Sequence, residues 1–153
     1  MRNIDIKRLD HHGLVMGVIK DIGLIETIDQ AVGVHQDEKL SVGQRAAAMI
    51  INGLGFTDQP LSLVSEFYKD LPVDALFGEG VTHDFFDRYS LSRALDRMDN
   101  YDVESLFSMV AAKACKLSNV DQQAQSFDTT TFSFYGDYKH SQSHSWIFKR
   151  LST

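Results

Sequence analysis

The side chain best suited to chemistry is Asp128, the single acid in Ser126-Phe127-Asp128-Thr129-Thr130-Thr131-Phe132-Ser133-Phe134-Tyr135. Aromatic and β-branched residues of this kind favour extended structure. A carboxylate in such a strand serves a turn, a polar partner or a metal ion. In a regular pleat Asp128, Thr130, Phe132 and Phe134 share one face, and Phe127, Thr129, Thr131, Ser133 and Tyr135 share the other. Aromatics beside the acid point to a bulge after Asp128, or to an acid at the edge of an apolar layer. Gly136-Asp137 offers a turn, so a hairpin can begin here. By residue type alone, satisfying a nearby backbone group outweighs a metal role for Asp128.

A second chemistry, contact with phosphate, is open to the cations. Arg93 and Arg97 are four residues apart and share a helix face, where DNA phosphates are natural partners. Arg88 precedes them, and Asp96 and Asp99 lie near enough for solvated ion pairs. Lys39 and Arg45 flank a capped helix start and have similar standing. These five are the candidate DNA-binding residues. His140 and His144 would share a face on a helix, but their Ser and Gln neighbours are poor helix formers. No third ligand accompanies them, so a solvated tail is the expectation. His11 and His12 open the first helix and are expected in surface or core roles. The glycines at 53 and 55 flank no strand-to-helix phosphate loop, and Gly13-x-x-x-Gly17 lies outside any apolar span that would make it a membrane packing motif.

The elements that must carry these residues are mostly helices. Leu14, Val15, Val18 and Ile22 mark one apolar face of a first helix, with Gly23 as its C-cap and Leu24 after it. Ile25, Ile28 and Val32 mark a second, closed by Gly33. Ser41 and Gln44 form a capping-box pattern. The Ala-rich helix behind it has Val42, Ala46, Met49 and Ile50 on one side. Pro60 suits a first helical position, followed by Leu61, Val64, Phe67 and Tyr68. Val73 to Phe77 can hold one turn ended by Gly78, and Thr82 or Asp84 can cap another around Phe85 and Phe86. Leu91, Leu95 and Met98 mark the next helix. Asp102 caps the longest, with Val103, Leu106, Phe107, Val110, Ala111, Ala114 and Leu117 stepping by three or four, and Asn119 at its exit. Residues 1 to about 121 thus read as six or seven short helices. Ile4 to Lys7 alternates as a short strand or arm would.

The chain has 153 residues, 43% of them apolar, enough for one domain with a sizeable core. No apolar run approaches a membrane span, and the start lacks a secretory pattern. The lone Cys115 excludes an internal disulfide and suits a reducing cytoplasm, where a small buried apolar role is expected of it. Net charge is −6. Between Asp58 and Asp87 seven acids face the single base Lys69, and 21 to 38 is purely acidic. Dedicated nucleic-acid modules are usually basic overall. Tight nonspecific DNA binding is therefore not expected, and a local basic face is left open.

Several blocks, in order, resemble the N-terminal portion of DDE-class insertion-sequence transposases with a helical N-terminal domain. They are Leu9-Asp10-His11-His12-Gly13-Leu14-Val15, Asp21-Ile22-Gly23-Leu24-Ile25, Asn52-Gly53-Leu54-Gly55-Phe56, Pro60-Leu61 and Phe77-Gly78-Glu79-Gly80-Val81. Arg93-Ala94-Leu95-Asp96 and Phe127-Asp128-Thr129-Thr130-Thr131-Phe132 complete the series. The resemblance implies a mainly α fold: a helical domain over 1–121, a strand or hairpin over 122–138 that would begin an RNase H-like domain, and a divergent tail over 139–153. It implies that Asp128 is the first of three carboxylates that hold Mg²⁺ or Mn²⁺ in a complete enzyme. There two hard ions activate the attacking oxygen and stabilise the leaving one.

The family's pattern continues well beyond its first strand. Here Lys139 to Arg150 offers no second Asp or third Glu in a suitable context. The tail reads as out of frame, decayed, truncated or the product of a programmed shift. The implied molecule is a fragment without catalysis or metal of its own. Its implied partners are DNA element ends, a full-length transposase or a second copy of itself, and no membrane. The alternative is a non-enzymatic helical interaction protein that modulates a full-length transposase, its acidic surface meeting a basic partner.

Overall fold

A computed structural model describes residues 7, 9–36, 38–54 and 59–119. All belong to the first of two units into which the chain divides, Met1–Asp121 and Gln122–Thr153. The described part is mainly helical. Its α-helices are α1 (Asp10–Asp21), α2 (Leu24–Val32), α3 (Val42–Gly53), α4 (Val64–Lys69), α5 (Val73–Phe77), α6 (Arg88–Tyr101) and α7 (Val103–Ser118). Short 3₁₀ turns cover Leu61–Leu63 and His83–Phe86. No strand occurs among the described residues. Asp128 and its run, the Ile4 to Lys7 alternation as a whole, and His140 with His144 lie outside them.

The core forms around α3, which packs against α1, α2, α4 and α6. Its start is built as its residues require. The Ser41 hydroxyl accepts from the Gln44 backbone N–H at 3.1 Å, and the Gln44 side chain accepts from the Ser41 N–H at 2.9 Å. Two of the free donors at the helix start are thereby satisfied. The Gln44 amide also donates to the Phe77 carbonyl at 3.0 Å, which ties α5 to the same cap. Burial on α3 is not confined to the stripe of Val42, Ala46, Met49 and Ile50. Ala47, Ala48 and Ile51 are fully buried as well, while Met49 and Ile50 are half-buried. Small side chains let neighbouring helices approach from several directions, so a one-sided pattern understates the burial.

Gly43 shows how close that approach is. A Cβ there would lie 2.8 Å from the Ile25 Cα, and the Gly43 N–H donates to the Asp29 carboxylate at 2.7 Å. Beneath α3 lies an aromatic cluster of Tyr68, Phe77 and Phe86, with Tyr68 and Phe86 fully buried. The Tyr68 hydroxyl donates to the Ala48 carbonyl at 2.8 Å, and burial raises its pKa far above the ordinary value. Burial disfavours the phenolate, which keeps the hydroxyl a donor in this bond.

Two apolar faces differ from expectation. On α1 the buried residues are His12, Met16 and Ile19, whereas Leu14 is 75% exposed and Val18 is also exposed. Val15 and Ile22 do pack against the core. Periodicity finds a stripe but not its neighbours; here His12 reaches the Leu9 carbonyl at 3.3 Å and the edge of Phe67. On α7 only Leu106 is buried, while Val103, Phe107 and Leu117 are exposed. This helix packs on α2 and α6 along one flank, leaving its other apolar flank uncovered among the described residues. Leu95 on α6 is likewise exposed, and Cys115 is half-buried rather than buried.

The helix boundaries follow the chain's punctuation. Gly23 adopts φ 64°, the left-handed conformation that ends α1, and its position starts α2. Asn119 is left-handed at the exit of α7. Asp87 caps α6, its carboxylate accepting from Tyr89 N–H at 2.9 Å and Ser90 N–H at 3.0 Å. That cap carries the acceptor type the position favours.

Candidate nucleic-acid interface

Four segments meet at a groove of about 470 Å³. The loop after α2 supplies Glu38 and Lys39, the first turns of α3 supply Arg45, and α6 supplies Ser90, Arg93 and Arg97. Phe85, Asp84 and Asp87 complete the wall. Leu40, 1% exposed, anchors the loop to the core, so the two charged residues before it are held at the surface.

Four of the five candidate cations therefore come together: Lys39, Arg45, Arg93 and Arg97. Arg88 does not line the groove. It stands five residues before Arg93, about 140° further round the helix, and is exposed.

The four differ in what already holds them. An Nη1 donor of Arg97 lies 2.8 and 3.0 Å from the two Glu38 oxygens, and its Nη2 donates to the Gly33 carbonyl at 2.7 Å. The expected ion-pair partners Asp96 and Asp99 are not used; Glu38 takes their place. Arg45 donates through Nη1 to the same Glu38 oxygen at 3.3 Å. Its side chain is 10% exposed, and its Nε–H has no acceptor among the described residues. The Lys39 ammonium lies 4.6 Å from the centroid of the Phe85 ring. Arg93 is exposed and has no hydrogen bond or ion pair among the described residues.

Burial would raise the pKa of Glu38. Hydrogen bonds from Arg97 and Arg45 and the charges of both outweigh it, so the carboxyl titrates below its ordinary range and stays ionised near neutrality. Glu38 is the hub that residue types and spacing did not signal. Its partner Arg97 is 59 positions away, and no local spacing marks a contact of that range.

Two other clusters do not form catalytic sites. Ser65 Oγ and the Asp84 carboxylate both approach the same nitrogen of His83, Nδ1, at 3.5 and 3.4 Å. A relay needs the two ring nitrogens to serve different partners. His11 and His12 stack at 4.1 Å, and among the described residues no group of three or more His, Cys, Asp or Glu is placed to hold a metal. Asp128, the candidate metal ligand, lies outside the described residues. No described helix is long and apolar enough to cross a membrane.

No curated protein and no solved structure matches the chain. One family does, over residues 4–112, a span that takes in the whole groove and stops short of Asp128. The chain therefore belongs to the family described as a domain of unknown function, DUF4277.

Proposed function

We propose that this chain is the N-terminal part of a DDE-class insertion-sequence transposase, a helical domain that binds element ends or aids assembly in the cytoplasm. The observation that carries the reading is the convergence of Lys39, Arg45, Arg93 and Arg97 on one groove of an otherwise acidic molecule. Cations gathered from separate segments into one concave surface make a footprint for a polyanion. The ordered blocks of transposase-like sequence supply the identity of that polyanion, the DNA at the ends of the element. A mobility-shift assay with flanking terminal repeats at stated salt tests it. Sequence-specific binding supports the reading, and its absence defeats it.

Asp128 is the equivalent of the first of three carboxylates that would hold Mg²⁺ or Mn²⁺ in a complete relative. One carboxylate cannot build a two-metal site, so Asp128 alone is not expected to support strand cleavage. Purified chain with Mg²⁺ or Mn²⁺, and Asp128→Asn as control, should give equal background cleavage. Robust wild-type activity would overturn that expectation.

A second reading is a non-enzymatic protein that pairs with full-length transposase or with itself and modulates it. The exposed apolar flank of α7, with Phe107 73% exposed, favours it. Co-purification with a transposase in the absence of DNA-end binding would select this reading over the first.

A further inference from the structure

We infer that α7 is an exchangeable arm, released at Asp102 and received by the same α2 and α6 surfaces of a second copy of this chain. The inference gives a specific form to the self-pairing in the second reading above and rests on it.

Asp102 is the one residue between α6 and α7, and its backbone is strained. Its φ of 110° lies in a region that a residue with a Cβ occupies only at a cost. The helical ladder nevertheless passes through it. The Asp102 N–H donates to the Met98 carbonyl at 3.1 Å, and the Asp102 carbonyl accepts from the Leu106 N–H at 3.1 Å. Both are bonds that a continuous helix keeps. Ordinary helical angles at this single position would join α6 and α7 into one helix from Arg88 to Ser118. Joining also gives the first N–H groups of α7 partners among the last carbonyls of α6. The sequence carries no phase break at the corner: Leu91, Leu95, Met98, Asp102, Leu106 and Met109 step by four, three, four, four and three.

Little holds α7 in its folded-back position. Leu106 is its buried side chain, while Phe107 is 73% exposed. Its polar tie to α2 is the Lys113 ammonium, which donates to the Thr27 hydroxyl at 2.8 Å. All of these contacts are regained when α7 of a second copy takes the vacated place, because the two chains are identical. The exchanged pair keeps the packing and sheds the strain at two corners. A short strained hinge of this kind invites exchange between copies. The partner is a second copy because the place to be filled is shaped by α7 itself.

The test uses the full chain. Light scattering over a concentration series should show a dimer that grows with concentration. Asp102→Gly removes the strain of the corner and weakens the joined helix. It should raise the dimer Kd about a hundredfold, tenfold for each of two hinges. Asp102→Ala keeps the strain and favours the helix, so it should lower that Kd about tenfold. Exchange itself is read by double electron–electron resonance in a Cys115→Ser background. Gln30 and Lys116, both exposed, line one groove of about 570 Å³ between α2 and α7. Chains spin-labelled at Gln30→Cys alone and at Lys116→Cys alone are refolded together. The expected result is an intermolecular distance equal to the one within a doubly labelled monomer. A dimer without that distance, or a Kd unchanged in both Asp102 variants, overturns the exchange and leaves self-pairing standing. A chain that stays monomeric at every concentration, in wild type and Asp102→Ala alike, overturns both.

Discussion

His12 illustrates how one residue sets a condition on stability. Burial, then the neighbouring His11, lowers its pKa below the ordinary 6.5, so the folded state favours neutral imidazole. A base whose pKa is lower when folded stabilises the protein fully above its unfolded pKa, and that stabilisation is lost as pH falls through the folded value. The urea midpoint should therefore fall as the pH is taken below about 6.5. His12→Phe should flatten that dependence, and an unchanged slope would remove His12 as its source. Glu38 acts lower on the scale. Its carboxyl is held below the ordinary 4.5, so its contribution persists above that pH and disappears as acid protonates the folded form. Glu38→Gln leaves Arg97 and Arg45 without their carboxylate and should cost roughly 1–3 kcal/mol at pH 7, read as a lower midpoint in chemical denaturation. Both residues sit in ordinary sequence surroundings, and their partners give them their energetic role.

Among the elements, α3 depends most on fit. The capping box of Ser41 and Gln44 was legible from residue types three apart, because its physics is confined to one helical turn. The burial of α3 on several sides was not, because it depends on what α1, α2, α4 and α6 bring to it. Gly43 is where that dependence is sharpest. A methyl group there meets the Ile25 backbone, which cannot rotate away as a side chain can. Gly43→Ala should destabilise by roughly 1–3 kcal/mol through forced separation of α2 and α3, seen as a lowered Tm. A gain in stability, as expected of Gly→Ala in an exposed helix, would mean that the close approach is absent. The stripe on α7 shows the converse. Val103, Phe107, Val110, Ala114 and Leu117 repeat with helical spacing, yet the helix buries mainly Leu106 against its neighbours. Amphipathic spacing says that a helix forms and leaves open which flank is covered.

The whole molecule sets local basicity against a global charge of −6. That net charge opposes the approach of DNA, so on the proposed DNA-end reading the groove would act only at close range, within a Debye length of about 8 Å at physiological salt. DNA without the element's ends should therefore bind weakly near 0.15 M salt and more tightly as salt is lowered, with a slope reflecting few phosphate contacts. Fluorescence anisotropy over a salt series measures both. A steep slope of the kind seen with many phosphate contacts would show that the groove is only part of a larger basic surface.

The chain's own residues determined that the described residues between Asp10 and Ser118 form short helices, where most of these start and stop, and that none of them can span a bilayer. Those properties arise from backbone donors, capping side chains, glycines and local periodicity, all of which act within a few positions. Candidate cations could be named the same way, but not sorted. Only the tertiary structure joined Glu38 to Arg97, set Arg45 in the interior with an unmet donor, and sent Arg88 to a different side of α6. Such pairings are chosen by packing between segments far apart in the chain, where burial and shape decide which of several equally plausible partners meet.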